Sequence, residues 1–497
     1  MPLRRLVIVP TVAMVLVAVS CVGNKGTGPV ATPSGVTPTA TQLSTADSAP
    51  VDPSLGFDNI HHLIFVVQEN RSFDSYFGTY PGADGIPTNP DGSFDVCVPD
   101  GHGVCQQPFH DTGQYDMGGP HGMSAAVNDV NGGRMDGFIG SVVHRQACTR
   151  KPNEACTAAA ADDQGHPPDV MGYHDAREIP NYWAYAEHYL LQDRMFAPTD
   201  SWTLPSHLYL TSAWAATCTD LTSPDPNASS CTTDVQHPGP WNNKIFPDHN
   251  DRPFRWADIT WLLHKHGVDW AYYVGSDTCL EPGCEAAGGQ DTPALFMPIA
   301  GFRTVAYTGQ TDHIRTYPDF FSRAASGTLP AVSWIVPYSA NSEHPPNPID
   351  AGQAWVTQIV NAVMQGPPEQ WNHTAIFVTW DDWGGFYDHV VPPVVDQAGY
   401  GLRVPGLVIS PWVKRGLGVD HQTLSFDAYL KLIEDRFLNG QRLDGHNQGW
   451  PDPRPTVRED IPLLGDLRNE FDFSQRPIPP MILNPDPNHD PILSPSP

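Results

Sequence analysis

Five short runs along the chain are apolar with almost no polar alternation: HLIFVV (62–67), DWAYYV (269–274), AVSWIV (331–336), TAIFVTW (374–380) and VPGLVIS (404–410). A strand with one wet face alternates, whereas a strand covered on both faces does not. The runs therefore predict buried strands of a mostly parallel sheet. Between them, apolar residues recur at the helical period in PNYWAYAEHYLLQDRM (180–195), FRWADITWLLHKHG (254–267), AGQAWVTQIVNAVMQG (351–366) and FDAYLKLIEDRFLNG (426–440). The last two close on Gly, as helix C-termini often do. Strands alternating with helices predict an α/β sandwich, a mostly parallel central sheet flanked by helices.

Both ends of the chain break this pattern. MPLRR and LVIVPTVAMVLVAV have the basic and apolar regions of a signal peptide, residues 1–20. The small residues of AVSC then place Cys21 as the lipid-modified first residue of a lipoprotein, with an ordinary secretory signal as the alternative. Ala18 stands where Leu is usual. Residues 21–54 are rich in Thr, Pro and Ser and hold almost no large apolar side chain, the composition of a disordered tether. The folded body is expected over 55–475 and a Pro-rich tail over 476–497. These features predict an extracytoplasmic protein, lipid-anchored at the cell surface or secreted.

At 497 residues, with 40% apolar and 10% aromatic content, the body has ample material for a core. The 27 basic and 55 acidic residues give a net charge of −28. That excess excludes nucleic acid as a partner held by a broad field, and an anionic substrate needs a metal or a few placed cations. Membrane contact is expected through the lipid anchor, and no protein partner is evident.

Nine cysteines fit export. Apart from Cys21 they fall into four local couples: Cys97 with Cys105, Cys148 with Cys156, Cys218 with Cys231, and Cys279 with Cys284. An even set in loops reads as disulfides, although spacing does not fix connectivity. Zinc is the rival reading, but no couple has C-x-x-C spacing.

Two of the strands run straight into acid. The first meets Gln68-Glu69-Asn70, and TAIFVTW meets Asp381-Asp382. Ligands of open parallel sheets sit beyond the carboxyl ends of strands, so Glu69, Asn70, Asp381 and Asp382 converge if the two strands are neighbours. Three carboxylates in one dry site need a cation, and these oxygens suit one hard divalent metal. Gly384-Gly385 allows close backbone approach. The structural alternative is an acid pair that merely caps a turn.

In TDSWTLPSHLYL a helix is expected from Leu204, with Pro205 in its first turn and Thr203 at or near the N-cap. A hydroxyl there sits beside free N–H groups, which suits either a plain structural cap or a nucleophile beside bound phosphate. His121, His344 and His389 lie in Gly/Pro-rich loops, where a histidine can serve as leaving-group acid, phosphate donor or metal ligand.

Four ordered segments, ENRSFDSYFG (69–78), TLPSH (203–207), DDWGGFYDHVVPP (381–393) and GLRVPGLVISPW (401–412), resemble the signatures of the bacterial phosphoesterases. That family includes phosphatidylcholine-type phospholipases C and an acid phosphatase. GGRMDGFI (132–139) and SEHPPNP (342–348) are similar to further family segments. The resemblance implies an alkaline-phosphatase-like fold and one divalent metal ion, of unspecified identity, held by Glu69, Asn70, Thr203, Asp381 and Asp382. It implies Thr203 as nucleophile forming a covalent phosphothreonine, with His121 and His344 holding phosphate or assisting the leaving group. Arg134, His207 and His389 are expected to bind substrate.

Two departures stand out: the family's T-x-P-N-R ends here in Ser206-His207, and its Asp-Glu is Asp381-Asp382. These departures leave the expected substrate open between a phospholipid, another phosphodiester and a phosphomonoester. The alternative reading is a surface lipoprotein that keeps the fold and only binds a phosphorylated or lipid ligand.

Overall fold

The computed structural model describes residues 51–489 apart from 102, 147–167, 221–228, 240–251 and 276–291, together with the strand Thr41–Gln42. The signal peptide, Cys21, most of the tether, and Cys148, Cys156, Cys279 and Cys284 lie outside the described residues.

The sheet has eight strands: β1 (His62–Gln68), β2 (Leu190–Gln192), β3 (Trp270–Val274), β4 (Ile314–Thr316), β5 (Val332–Ile335), β6 (Thr374–Trp380), β7 (Gly406–Ile409) and β8 (Val419–Asp420). Their order across the sheet is β4-β3-β5-β1-β6-β7-β2-β8. The five predicted runs all form strands, and every residue of β3, β5, β6 and β7 is buried.

Five of the seven pairings are parallel. The exceptions flank β7, which runs antiparallel to both β6 and β2. Residues 381–405 form no helix. A parallel return to the same sheet needs a crossover, usually helical, so a chain without one comes back antiparallel.

Alternation along β6 shows how the sheet is covered. Phe377 lies 5.3 Å from the ring of Tyr429 on the helix Phe426–Phe437. Trp380, three residues on and therefore on the other face, lies 5.2 Å from Tyr182 on the helix Pro180–His188. Helices Thr203–Ser212, Ile259–His266 and Phe426–Phe437 contact one another on the first face. Ile349–Met364 contacts Pro180–His188 and Tyr317–Ser326 on the second.

Two helices are shorter than the pattern predicts. Pro180–His188 ends at Tyr189, whose backbone leaves the helical region, and Leu190–Gln192 then enters the sheet as β2. Ile259–His266 starts late because the Asp258 side chain accepts the Thr260 N–H at 3.0 Å and caps the helix there. The Pro-rich tail is docked where it begins, through buried Ile478, Met481 and Leu483. Asn361 donates to the Leu483 carbonyl at 2.7 Å. Disulfides Cys97–Cys105 and Cys218–Cys231 follow the expected local pairing.

Candidate active site

β1 and β6 are parallel neighbours, and their register sets Gln68 opposite Trp380. The next residue on each strand is therefore Glu69 on one and Asp381 on the other. The Asp381 N–H donates to the Gln68 carbonyl at 2.9 Å, which closes the ladder there.

Beyond this rung the backbone tightens. Asn70 has φ 59°, a left-handed conformation uncommon outside glycine. Gly384 has φ 61°, and a Cβ on it would stand 2.5 Å from the Asn70 carbonyl oxygen. A Cβ on Gly385 would strike the backbone of Gly119. Three segments thus meet where no side chain fits.

The turn at Asn70 organises the acids. Its backbone N–H donates to Asp381 Oδ1 at 2.9 Å and its Nδ2 donates to Asp382 Oδ1 at 2.8 Å. The Gly384 N–H also donates to Asp382 Oδ1, at 2.7 Å. Each aspartate is held by one oxygen. The other oxygens, Asp381 Oδ2 and Asp382 Oδ2, and Asn70 Oδ1 itself are buried without a hydrogen-bond partner among the described residues.

Helix Thr203–Ser212 reaches the same place, with Thr203 as its first residue and Trp202 as the cap. The Thr203 hydroxyl donates to Glu69 Oε2 at 3.4 Å. One turn on, His207 Nε2 lies 3.0 Å from Glu69 Oε1. His207 was expected to bind substrate; it is fully buried and faces the carboxylates.

His121 and His344 stand together, their rings 5.7 Å apart at 78°. His121 Nδ1 lies 2.9 Å from the Gly119 carbonyl and His344 Nδ1 lies 2.7 Å from the Pro345 carbonyl. A carbonyl only accepts, so each Nδ1 carries a proton and Nε2 is the atom that exchanges one. Burial, then the His121 ring, lowers the pKa of His344.

Supporting residues escaped the sequence reading. Glu343, next to His344, accepts from Tyr76 at 2.7 Å, Tyr182 at 2.6 Å and Trp380 at 2.8 Å. Gln68 Oε1 accepts the N–H groups of Glu69 and Glu343, which ties the SEHPPNP loop to the end of β1. Asp129 accepts from Trp383 Nε1 at 3.0 Å, and Trp383 in turn lies beside the His121 ring. Their one sequence signal is position: Gln68 and Glu343 each stand directly before a candidate site residue, Glu69 and His344.

Two expected substrate contacts sit elsewhere. Arg134 is exposed, its Nε 3.4 Å from Asp136. His389 Nδ1 lies 2.7 Å from Asp74, within a buried ion-pair group where Arg403 binds Asp74 and Asp388. Arg403 supplies that group's positive charge itself.

Among the described residues, no Arg or Lys pairs with the carboxylate centre. With only the protein's own charges around them, burial and then repulsion from Asp382 push Asp381 up to about 7. Burial pushes Asp382 to about 7, and burial followed by the charges of Asp381 and Asp382 raises Glu69 well above the carboxylate range. Three crowded acids and three bare oxygens fit a divalent cation, which would hold the acids ionised and take the unpartnered lone pairs. Glu69, His207 and Asp381 each offer a ligand atom within 4.8 Å of the others.

Residues 60–438 match the Phosphoesterase family. The chain is similar to phospholipase C B of Mycobacterium tuberculosis, 27% identical over 85% of this chain and 79% of that one. It is also similar to a non-hemolytic phospholipase C of Burkholderia pseudomallei, 26% identical over 84% of this chain and 59% of that protein. A solved protein of the alkaline phosphatase superfamily from Vibrio parahaemolyticus aligns over 86% of this chain and 74% of its own at 12% identity. Its TM-score of 0.33 is too low to bear on the fold.

Proposed function

The chain belongs to the Phosphoesterase family, and we propose that it is an exported, metal-dependent hydrolase of phosphoric esters that works through Thr203 and a covalent phospho-enzyme. The observation that carries this reading is the turn at Asn70. It ties down one oxygen of each aspartate and leaves the second oxygen of each, with Asn70 Oδ1, buried and unpartnered among the described residues, next to the Glu69 carboxylate that the Thr203 helix also reaches.

Glu69, Asn70, Thr203, Asp381 and Asp382 are the residues that would hold the cation. When bound it supplies positive charge that offsets the acids and draws a phosphate to them. The rest is protein chemistry. Thr203 opens its helix, so the positive end of the helix dipole faces the same point as its hydroxyl. Thr203 Oγ attacks phosphorus, and its proton has Glu69 Oε2 as an acceptor 3.4 Å away.

The new bond is Oγ–P, and the P–O bond to the leaving group breaks. His121 or His344, with a second proton on Nε2, gives that proton to the leaving oxygen and recovers one from the water of the next step. Water then attacks phosphorus, the Oγ–P bond breaks and Thr203 regains its proton. The relatives' names favour a phospholipid headgroup ester as substrate, with a smaller phosphoester second. The disulfides fit an extracytoplasmic site of action.

The test is a hydrolysis panel on the purified protein: p-nitrophenyl phosphate, p-nitrophenylphosphorylcholine and phosphatidylcholine, each with and without chelator. The reading expects turnover that chelator abolishes and Thr203→Ala removes. Activity surviving in Thr203→Ala would end the covalent route.

A further inference from the structure

We infer that His207 is an additional ligand of the metal in this chain, so that the centre carries a nitrogen donor beside its oxygens. This rests on the reading of the carboxylates as a metal site. The geometry comes from the helix. Thr203 and His207 are four residues apart and share one helix face, so a helix that turns the Thr203 hydroxyl to Glu69 turns the imidazole there too. His207 Nε2 and Glu69 Oε1 are 3.0 Å apart. Two donors bonded at right angles to one ion about 2.1 Å away stand about 3 Å apart, so both can serve the same ion where they now lie.

The ring has little freedom to leave. It is fully buried and stacked at 17° on Phe296, with centroids 5.8 Å apart. Among the described residues its Nδ1 has no hydrogen-bond partner, so no second interaction there draws the ring elsewhere. The family pattern T-x-P-N-R places Arg here, and a guanidinium has no lone pair and repels a cation. Imidazole adds a donor without adding charge. A mixed nitrogen and oxygen set favours Mn2+ or Zn2+ over Mg2+ or Ca2+.

The test is pulsed electron paramagnetic resonance of the full folded protein with one equivalent of Mn2+, alongside competition of Mn2+ against Mg2+. The expected spectrum shows directly bonded nitrogen. In His207→Gln, which keeps a hydrogen-bond donor for Glu69, the nitrogen signal is lost and the Mn2+ preference falls about tenfold or more. Mn2+ bound without a nitrogen signal in the wild type would overturn the inference and leave the metal site standing, whether or not the variant folds. A nitrogen signal that persists in His207→Gln would overturn it as well. No Mn2+ binding at all would sink both the inference and the metal reading beneath it.

Discussion

The Thr203 hydroxyl lies 3.4 Å from Glu69 Oε2, across 134 residues of sequence. One oxygen comes from the start of a helix and the other from the end of a strand, so each is fixed by regular structure. Thr203→Ala should therefore lower turnover by about a thousandfold or more while leaving the fold intact. Thr203→Ser should keep a measurable fraction. Steady-state kinetics with matched circular dichroism tests both; equal loss in the two variants would point to packing of the threonine methyl.

The acids make a prediction about pH. Asp381 and Asp382 have folded pKa values of about 7 against an ordinary 3.8 when no cation is bound. A carboxyl with a raised folded pKa holds its proton more tightly in the native state, so its stability contribution is complete below pH 3.8 and is lost as pH rises towards 7. Chelated protein should lose thermal stability across that window. Asp129 and Glu459 are also buried and pushed up to about 7, so they titrate there in either form. The informative quantity is thus the difference in Tm between metal-loaded and chelated protein, which should widen with pH.

Asp382→Asn should separate function from stability. Removing one buried charge relieves repulsion, and the chelated variant should be more stable than chelated wild type by about 1–2 kcal/mol near pH 7. The same variant should bind metal at least tenfold more weakly. Denaturant melts and metal titration on one preparation test the pair of effects; a variant less stable without metal would contradict the repulsion.

Gly384→Ala should damage both. A Cβ there meets the Asn70 carbonyl at 2.5 Å and the backbone stands at φ 61°. A cost of about 2 kcal/mol or more in stability is expected. Because the displaced atom belongs to Asn70, metal affinity should fall with it. A variant that melts early yet binds metal normally would separate the glycine from the site.

Glu343→Gln probes the support beneath His344. The carboxylate accepts from three buried donors. An amide keeps one acceptor oxygen for Tyr76 and Trp380 and turns its N–H to Tyr182, whose hydroxyl must swing its own proton away from Glu343 to accept it, so a loss of about 1–3 kcal/mol is expected. Chemical denaturation provides the check.

Much of the fold was legible in the sequence. β1, β3, β5, β6 and β7 are buried on both faces, and apolar runs of that kind stand out in a chain so rich in turns. β2 was hidden because YLLQDRM continues the helical period of the residues before it. Only the backbone of Tyr189 ends that helix, and no local pattern announces the change. β4 and β8 are too short to carry a period. At the site, Glu69, Asn70, Asp381 and Asp382 could be picked out as acids and amide at strand ends. Their convergence depended on β1 and β6 being neighbours, which is a fact of topology. His207 was legible as a departure from a motif, but its facing Glu69 was not.

The register between β1 and β6 also sets a schedule. Asn70 and Asp381, which meet at 2.9 Å, are 311 residues apart in the chain. A nascent chain that has not yet reached Asp381 and Asp382 can form neither the middle of the sheet nor the reactive centre. Its early segments are inert, and the hydrolytic power of the protein appears only once most of its folded body has been delivered. Proteolytic fragments cut anywhere between those two strands and then separated should likewise be harmless to any ester they meet.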